Sequence, residues 1–375
     1  MTPPQPRRIL MTADAVGGVW SYALTLATAL DRRGIETVLA VMGPRPSAAQ
    51  RRHAAEIQSL TLVESDFRLE WMNDPGRDLH RAGVWLLSLE SRYEPDVVHI
   101  NGYTHGAVPW SAPCLVVAHS CVASWWATVR GGTPPTHWND YAVRVRRGLA
   151  AAGLVIAPTA AFLTEIARRY GRRHSVRVIP NGCAPGLFAP DIKQPFILAA
   201  GRLWDEAKNI PTLDRIASRL PWPIYVAGDD ASPDGRIIAC SNLDRLGVLS
   251  RDDLAAVMRR ATIFVAPARY EPFGLAILEA ALSGCALVLS DLPTLRELWD
   301  GAAIFTQLDD DEAMAKTLES LCRDPDQVAV LRRRALVRAR RFTAERMAEG
   351  YITAYRDLQM MTNRAAPLLR APALP

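Results

Sequence analysis

Short apolar runs of strand length alternate with segments of helical period from one end of the chain to the other. Residues 9–13, 37–42, 96–100, 114–118 and 154–157 predict strands, and residues 19–33 predict a helix. Alternation of this kind implies parallel sheets flanked by helices. The pattern pauses after Ile179 at Pro180-Asn181-Gly182, and Pro185, Gly186, Pro190 and Pro195 follow closely, a linker composition. It then restarts: a strand over 196–200, a glycine turn at Gly201, a helix from about Asn209, and strands over 224–227 and 262–266. The reading is therefore two doubly wound α/β domains, 1–185 and 186–342. Each should bind ligand at the carboxyl ends of its strands, with the two sheets facing across a cleft. A last helix is expected over 343–362, with Thr343 as its N-cap and Met347, Tyr351, Ala354 and Tyr355 at helical spacing. That helix is expected to cross back to the first domain, and 363–375 is expected to be a loose tail.

Composition narrows the class. At 375 residues, with 49% hydrophobic and 22% charged positions, the chain suits two globular domains and not a disordered protein. Its six cysteines are scattered, without a Cys-x-x-Cys pair or a histidine cluster at ligand spacing, so a disulfide frame or zinc site is not expected. No run approaches the ~18 apolar residues of a spanning helix, and the start of the chain does not read as a signal peptide. A cytoplasmic protein is expected, or one held peripherally at the inner membrane face. The net charge of +5 suits anionic partners, and equally a solvated arginine-rich surface. The basic run around Arg332–Arg341 has helical spacing and no interleaved aromatics, so nucleic acid is not an expected partner.

The second half carries the densest chemistry. Glu271-Pro272-Phe273-Gly274-Leu275 follows an apolar strand and leads into a helix that carries Glu279. Pro272 fits a first helical turn, and Gly274 lets free backbone N–H groups approach an anion such as a diphosphate. Glu279 lies on an otherwise apolar helix, costly for a carboxylate unless it is paired or binds something such as ribose hydroxyls. Eight helical residues at about 1.5 Å each would separate Glu271 and Glu279 by up to about 12 Å. Glycosidase carboxyl pairs stand about 5 to 9.5 Å apart, so these two read as contacts for opposite ends of one ligand. A capping role for Glu271 and a buried salt bridge for Glu279 are the plain alternatives. Arg202 and Lys208, after the first strand of this half, can grip phosphate oxygens and stabilise a departing diphosphate.

The order Gly201-Arg202, Lys208, Glu271-x-Phe273-Gly274, Glu279, Gly284 and Glu297 resembles the donor half of family 4 glycosyltransferases, retaining enzymes of GT-B fold. The resemblance implies that Glu271 touches the transferred sugar, Glu279 the ribose, and Arg202 and Lys208 the diphosphate. The Gly274 and Leu275 amides would meet phosphates or sugar, and base contacts would fall near Leu246 to Leu249. It also implies a metal-independent hexosyltransferase without a cofactor, the nucleotide-diphosphate sugar being a co-substrate. The sequence departs from the family at Ala286, at Ala302-Ala303, and in the acidic Asp205-Glu206 between the two cations.

In the first half, Gly17-Gly18 after the first strand could bring amides to the donor phosphates, or be a plain turn. His119 is the histidine that immediately follows a strongly apolar strand, and the resemblance implies that it bonds the donor sugar. His99 reads as structural, and 101–105 as an acceptor loop. Trp125, Trp126 and Trp138, with Gly131-Gly132 and Pro134-Pro135 between them, either shape an acceptor site or plug a groove. The resemblance implies that the acceptor is a hydroxyl of a glycan, glycolipid or small molecule. A nucleotide-sugar epimerase or hydrolase of the same fold, and a non-catalytic sugar-nucleotide binder, are the rival functions. A dinucleotide dehydrogenase is disfavoured, because neither half carries the glycine fingerprint with its downstream acid.

Overall fold

The computed structural model describes residues 5–172, 175–184, 186–231 and 240–365. The chain divides into two compact units. The first comprises the chain up to Ser124, Thr133–Gly182 and everything from Ala344; the second comprises Trp125–Gly132 and Cys183–Thr343. The sequence reading placed its break at 185/186. Pro185 itself and residues 366–375 of the expected tail lie outside the described residues.

The first unit is built on seven parallel strands: β1 (Arg8–Asp14), β2 (Glu36–Met42), β3 (Leu60–Glu64), β4 (Val97–Ile100), β5 (Cys114–Val117), β6 (Leu154–Ala157) and β7 (Val176–Val178). Their order is β3-β2-β1-β4-β5-β6-β7, with Met11 of β1 opposite both Leu39 and His99. Ile9, Leu10 and Met11 are fully buried, which is why the strand reads as a continuous apolar run and not an alternating one. The strand order reverses between β1 and β4, and the crevice at such a switch point is where doubly wound sheets bind ligands.

The second unit repeats the plan with β8 (Gln194–Ala200), β9 (Ile224–Ala227), β10 (Asp244–Gly247), β11 (Ala261–Ala266), β12 (Ala286–Ser290) and β13 (Ile304–Thr306). The order β10-β9-β8-β11-β12-β13 puts the switch point between β8 and β11, where Ile197 pairs with Ile263. Leu198, Phe264, Leu278, Leu287 and Trp299 fill one face of this sheet, and Ile197, Leu213, Val226 and Leu318 the other.

Two boundaries correct the sequence reading. The last helix spans Ala344–Ala365 and packs on Gly18–Asp31 within the first unit, so residues 363–365 are helical and not tail. Residues 363–365, Asn-Arg-Ala, include neither proline nor glycine, so the sequence puts no helix breaker there. The helix expected to hold Pro272 in its first turn is Leu275–Leu282, with Gly274 as its N-cap at φ 84° and ψ 70°. A left-handed residue cannot lie inside a right-handed helix, so Pro272 and Glu271 belong to the loop before it. The axial spacing of two helical glutamates therefore does not apply.

Candidate active site

At the β8/β11 switch point the two loops that follow these strands meet. Gly201 leaves β8 with φ 154°, and its carbonyl oxygen would stand 1.8 Å from a Cβ placed on Gly228, so the loop beside it also has to be glycine. Past the turn, the Asp205 carboxylate accepts from Ala207 N–H at 3.0 Å and from Arg202 Nη2 at 2.7 Å. Lys208 then reaches across to the β11 loop, with Nζ 2.6 Å from Glu271 Oε2. The backbone of that loop is pinned by Thr294 Oγ1, which donates to Glu271 O at 2.6 Å. Both cations thus have a carboxylate partner while remaining accessible, Arg202 with 39% and Lys208 with 27% of the side chain exposed.

The acidic pair between the two cations has a structural account. Asp205 is buried and builds the turn, and Glu206 faces away from it to pair with Arg130. The two acids after Gly228 are likewise committed: Asp229 accepts from Ala231 N–H at 3.1 Å and Asp230 pairs with Arg245 at 2.9 Å.

Behind Gly274 the helix Leu275–Leu282 starts without a side-chain cap, leaving its first N–H groups available to an anion. Glu279, one turn further in, is only partly buried as a whole residue, but burial pushes its carboxyl up to about 7. The Arg251 guanidinium acts in the opposite direction. Arg251 opens the helix Arg251–Arg260 just after Leu249, and also lies over the Phe188 ring at 5.8 Å. Sequence reading missed Arg251, although Ser250-x-x-Asp253 marks the helix start that places it, with Ser250 Oγ accepting from Asp253 N–H at 3.1 Å. Phe273 is turned into the core, edge-on to Phe342 at 5.9 Å, so its side chain is not a ligand contact. Leu249 and Leu275 are half-buried beside these groups.

In the first unit, Gly17 caps the helix Gly18–Asp31 without a side-chain bond. His119, after β5, is bonded through Nε2 to Asn101 Oδ1 at 2.8 Å, and its ring stands edge-on to Tyr22 at 4.4 Å. His99 is fully buried and bonds Tyr355 Oη through Nδ1 at 2.8 Å. Burial depresses both imidazoles to about 3, so both are neutral. The expected acceptor loop over 101–105 is largely tied down. The Glu70 carboxylate accepts from Tyr103 N–H at 3.1 Å, Thr104 N–H at 2.7 Å and Thr104 Oγ1 at 2.6 Å, and His105 is buried. A carboxylate with three donors fixes a loop, and that tie was invisible in sequence because Glu70 is some thirty residues away.

The tryptophan segment is partly helical, Val122–Val129, with Trp125 and Trp126 edge-to-face at 6.1 Å. Trp138 packs on Tyr141 at 5.8 Å beside a cavity of about 190 Å³ that Val122, Pro134 and Asn139 also line. No disulfide joins any of the six cysteines. No helix among the described residues is long and apolar enough to cross a membrane.

Residues 16–186 match the family model described as Glycosyltransferase Family 4, and residues 194–324 match that of Glycosyl transferases group 1. Glycogen synthase of Mycobacterium tuberculosis is 25% identical over 90% of this chain and 91% of its own length. Among solved structures, sucrose-phosphate synthase from Thermosynechococcus elongatus superposes with a TM-score of 0.79 at 18% identity, covering 94% of this chain and 99% of its own. HepE of Anabaena in complex with UDP-glucose gives a TM-score of 0.69 at 16% identity, covering 96% of this chain and 99% of its own. The fold of these structures is shared by the two parallel-sheet units described above.

Proposed function

We propose, given that the chain belongs to the family 4 glycosyltransferases of GT-B fold, that it moves a hexosyl group from a nucleoside-diphosphate sugar to an acceptor hydroxyl with retention of configuration. The observation that carries this reading is the Lys208–Glu271 pair beside the uncapped helix at Gly274, at the β8/β11 switch point, with Arg202 on the same loop as Lys208 and held there by Asp205. Two partly exposed cations and free helix N–H groups suit a diphosphate. Glu271 is the proposed sugar contact once a donor draws Lys208 toward phosphate, and Glu279 is the proposed ribose contact. His119 is the proposed hydrogen-bond partner of the transferred sugar, and Gly17-Gly18 a further phosphate contact.

In the transfer, the bond from the anomeric carbon to the diphosphate oxygen breaks and negative charge grows on the leaving group. Arg202, Lys208 and the helix N-terminus stabilise that charge, the role a divalent ion takes in other enzymes, so neither metal nor cofactor enters the reading. The acceptor oxygen bonds the same face of the anomeric carbon, and its proton passes to the leaving phosphate.

HepE was solved with UDP-glucose, which makes uridine diphosphate the first nucleotide to test. Thermal shift with UDP, GDP and ADP should single out one nucleotide, since bound ligand adds RT ln(1 + [L]/Kd) to stability, about 2.7 kcal/mol at a hundredfold excess over Kd. With the matching labelled sugar donor, label should move to acceptor in proportion to acceptor added, with the anomeric configuration unchanged. Label lost only to water, or a product epimerised on the nucleotide, would instead identify one of the rival chemistries. Arg202→Ala should lower kcat by ~100-fold or more, the scale of losing one charge-stabilising donor. Turnover near that of the parent protein would remove Arg202 from the mechanism.

A further inference from the structure

We propose that Asn101 is a positioning residue: it holds the His119 imidazole in the Nε2–H tautomer, so that Nδ1 is offered as a hydrogen-bond acceptor. The orientation of the Asn101 amide is set from behind. Its nitrogen lies 2.7 Å from Thr12 O, which can only accept, and its backbone N–H donates to Thr12 Oγ1 at 2.9 Å. The amide oxygen therefore faces the two imidazoles. His119 Nε2 approaches it at 2.8 Å and His99 Nε2 at 3.1 Å. An amide oxygen has no proton to give, so both Nε2 atoms carry hydrogen.

The remaining nitrogens then differ. On His99, Nδ1 accepts from the Tyr355 hydroxyl at 2.8 Å, and Tyr22 Oη stands 3.2 Å from its Nε2. On His119, Nδ1 has no protein partner among the described residues, and the residue is only partly buried. Tyr22, edge-on at 4.4 Å, holds the ring plane. Because burial keeps both rings neutral, the tautomer and not the charge is the property the surroundings set. The group that such a site takes is a hydroxyl that donates, as on a hexose, and in this respect the inference rests on the proposed contact of His119 with the sugar. Asn101 and His119 lie just past the ends of neighbouring strands, β4 and β5, and Thr12 in the last half of β1, so the lock spans the switch point of the first sheet.

The test is long-range 1H–15N correlation on the full-length protein with 15N-histidine, assigning His119 by the signals lost in His119→Gln. The unsubstituted protein should show His119 as Nε2–H alone; an Nδ1–H or mixed pattern overturns the proposal without any variant needing to fold. Asn101→Leu should abolish the single tautomer, and a pattern that stays pure Nε2–H in this variant also overturns it. Tyr355→Phe should leave the His119 tautomer intact, since it removes only the donor to His99; a shifted His119 pattern there would mean the lock lies in the tyrosine and not in Asn101. With UDP-glucose as donor, Asn101→Leu should lower kcat by ~10-fold with KM unchanged, the scale of one hydrogen bond. Full activity of His119→Gln, with the tautomer pattern as proposed, would reject the sugar contact and leave the lock standing.

Discussion

At the scale of single residues, Glu279 gives the clearest measurable consequence. Its carboxyl is moved from an ordinary 4.5 up to about 7 by burial, with Arg251 offsetting part of the effect. A folded-state value above the unfolded one means the folded protein holds the proton more tightly. The stability this contributes is complete below about 4.5 and is lost as pH rises through about 7. Glu279→Gln stays neutral throughout and should be flat over that window, ending about 1–2 kcal/mol above the parent at pH 8, a figure reduced for partial exposure. Urea unfolding of both proteins at pH 5 and pH 8 measures the difference, and parallel pH profiles would show that Glu279 is not the group responsible. The sequence made this residue stand out because a carboxylate on the apolar helix Leu275–Leu282 has an obvious cost. It did not show Arg251, because an arginine at an exposed helix start looks like any surface charge until the fold brings it near Glu279. Pairing was illegible for the same reason: Lys208 and Glu271 are 63 positions apart, and only the adjacency of β8 and β11 joins them.

At the scale of elements, the junction between β11 and the helix Leu275–Leu282 depends on one left-handed residue. Gly274 has φ 84°, and a Cβ there would stand 2.6 Å from Ile277 Cδ1 and 3.3 Å from Glu271 Cγ. Gly274→Ala should therefore cost about 1–2 kcal/mol in backbone strain and also weaken UDP binding, because relief of the clash moves Ile277 or Glu271. Gly301 is a built-in control: φ is 73°, but nothing lies within 4 Å of its notional Cβ. Gly301→Ala should show comparable strain in urea unfolding with UDP binding unchanged; equal loss of binding in both variants would disconnect the Gly274 turn from the site. Strand positions were readable because strands buried on both faces are short continuous apolar runs, and residues 154–157 appear in the structure with the expected limits. Helix starts were less readable where glycine dihedrals decide them. The sequence of Pro272 and Gly274 fits either a proline in the first turn or a glycine N-cap, and only φ 84° at Gly274 settles it in favour of the second. How the loop over 101–105 is held was equally illegible: its polar residues look free, but Glu70 accepts from Tyr103 and Thr104, and Gly148 packs so closely on Tyr103 that a Cβ would lie 1.8 Å from its carbonyl oxygen.

At the scale of the molecule, the last helix, Ala344–Ala365, lies against the first, Gly18–Asp31, inside the first unit. Two kinds of contact hold it there. Along the rim, Arg32 pairs with Glu345 at 3.0 Å and Arg33 with Glu349 at 2.8 Å, with side chains 42–59% exposed. In the seam, Met347, Tyr351, Ile352, Tyr355 and Leu358 are buried, and the Tyr355 hydroxyl reaches His99 on β4. Exposed pairs of this type are each worth ~0–1 kcal/mol, because water screens them and two long side chains must be ordered. Truncating a buried aromatic costs ~3–5 kcal/mol, and His99 Nδ1 would lose its donor as well. The seam, and not the rim, should therefore hold the C-terminal helix in place. Tyr355→Ala is expected to cut the unfolding free energy by about 3–5 kcal/mol, whereas Glu349→Ala should change it by less than about 1 kcal/mol. Tyr355→Phe, which keeps the ring and removes only the hydrogen bond to His99, should fall between them at about 1 kcal/mol. Urea unfolding of the three variants at one pH gives the ranking directly. A larger loss from Glu349→Ala than from Tyr355→Ala would mean that charge, and not the buried tyrosine seam, holds the last helix to the first.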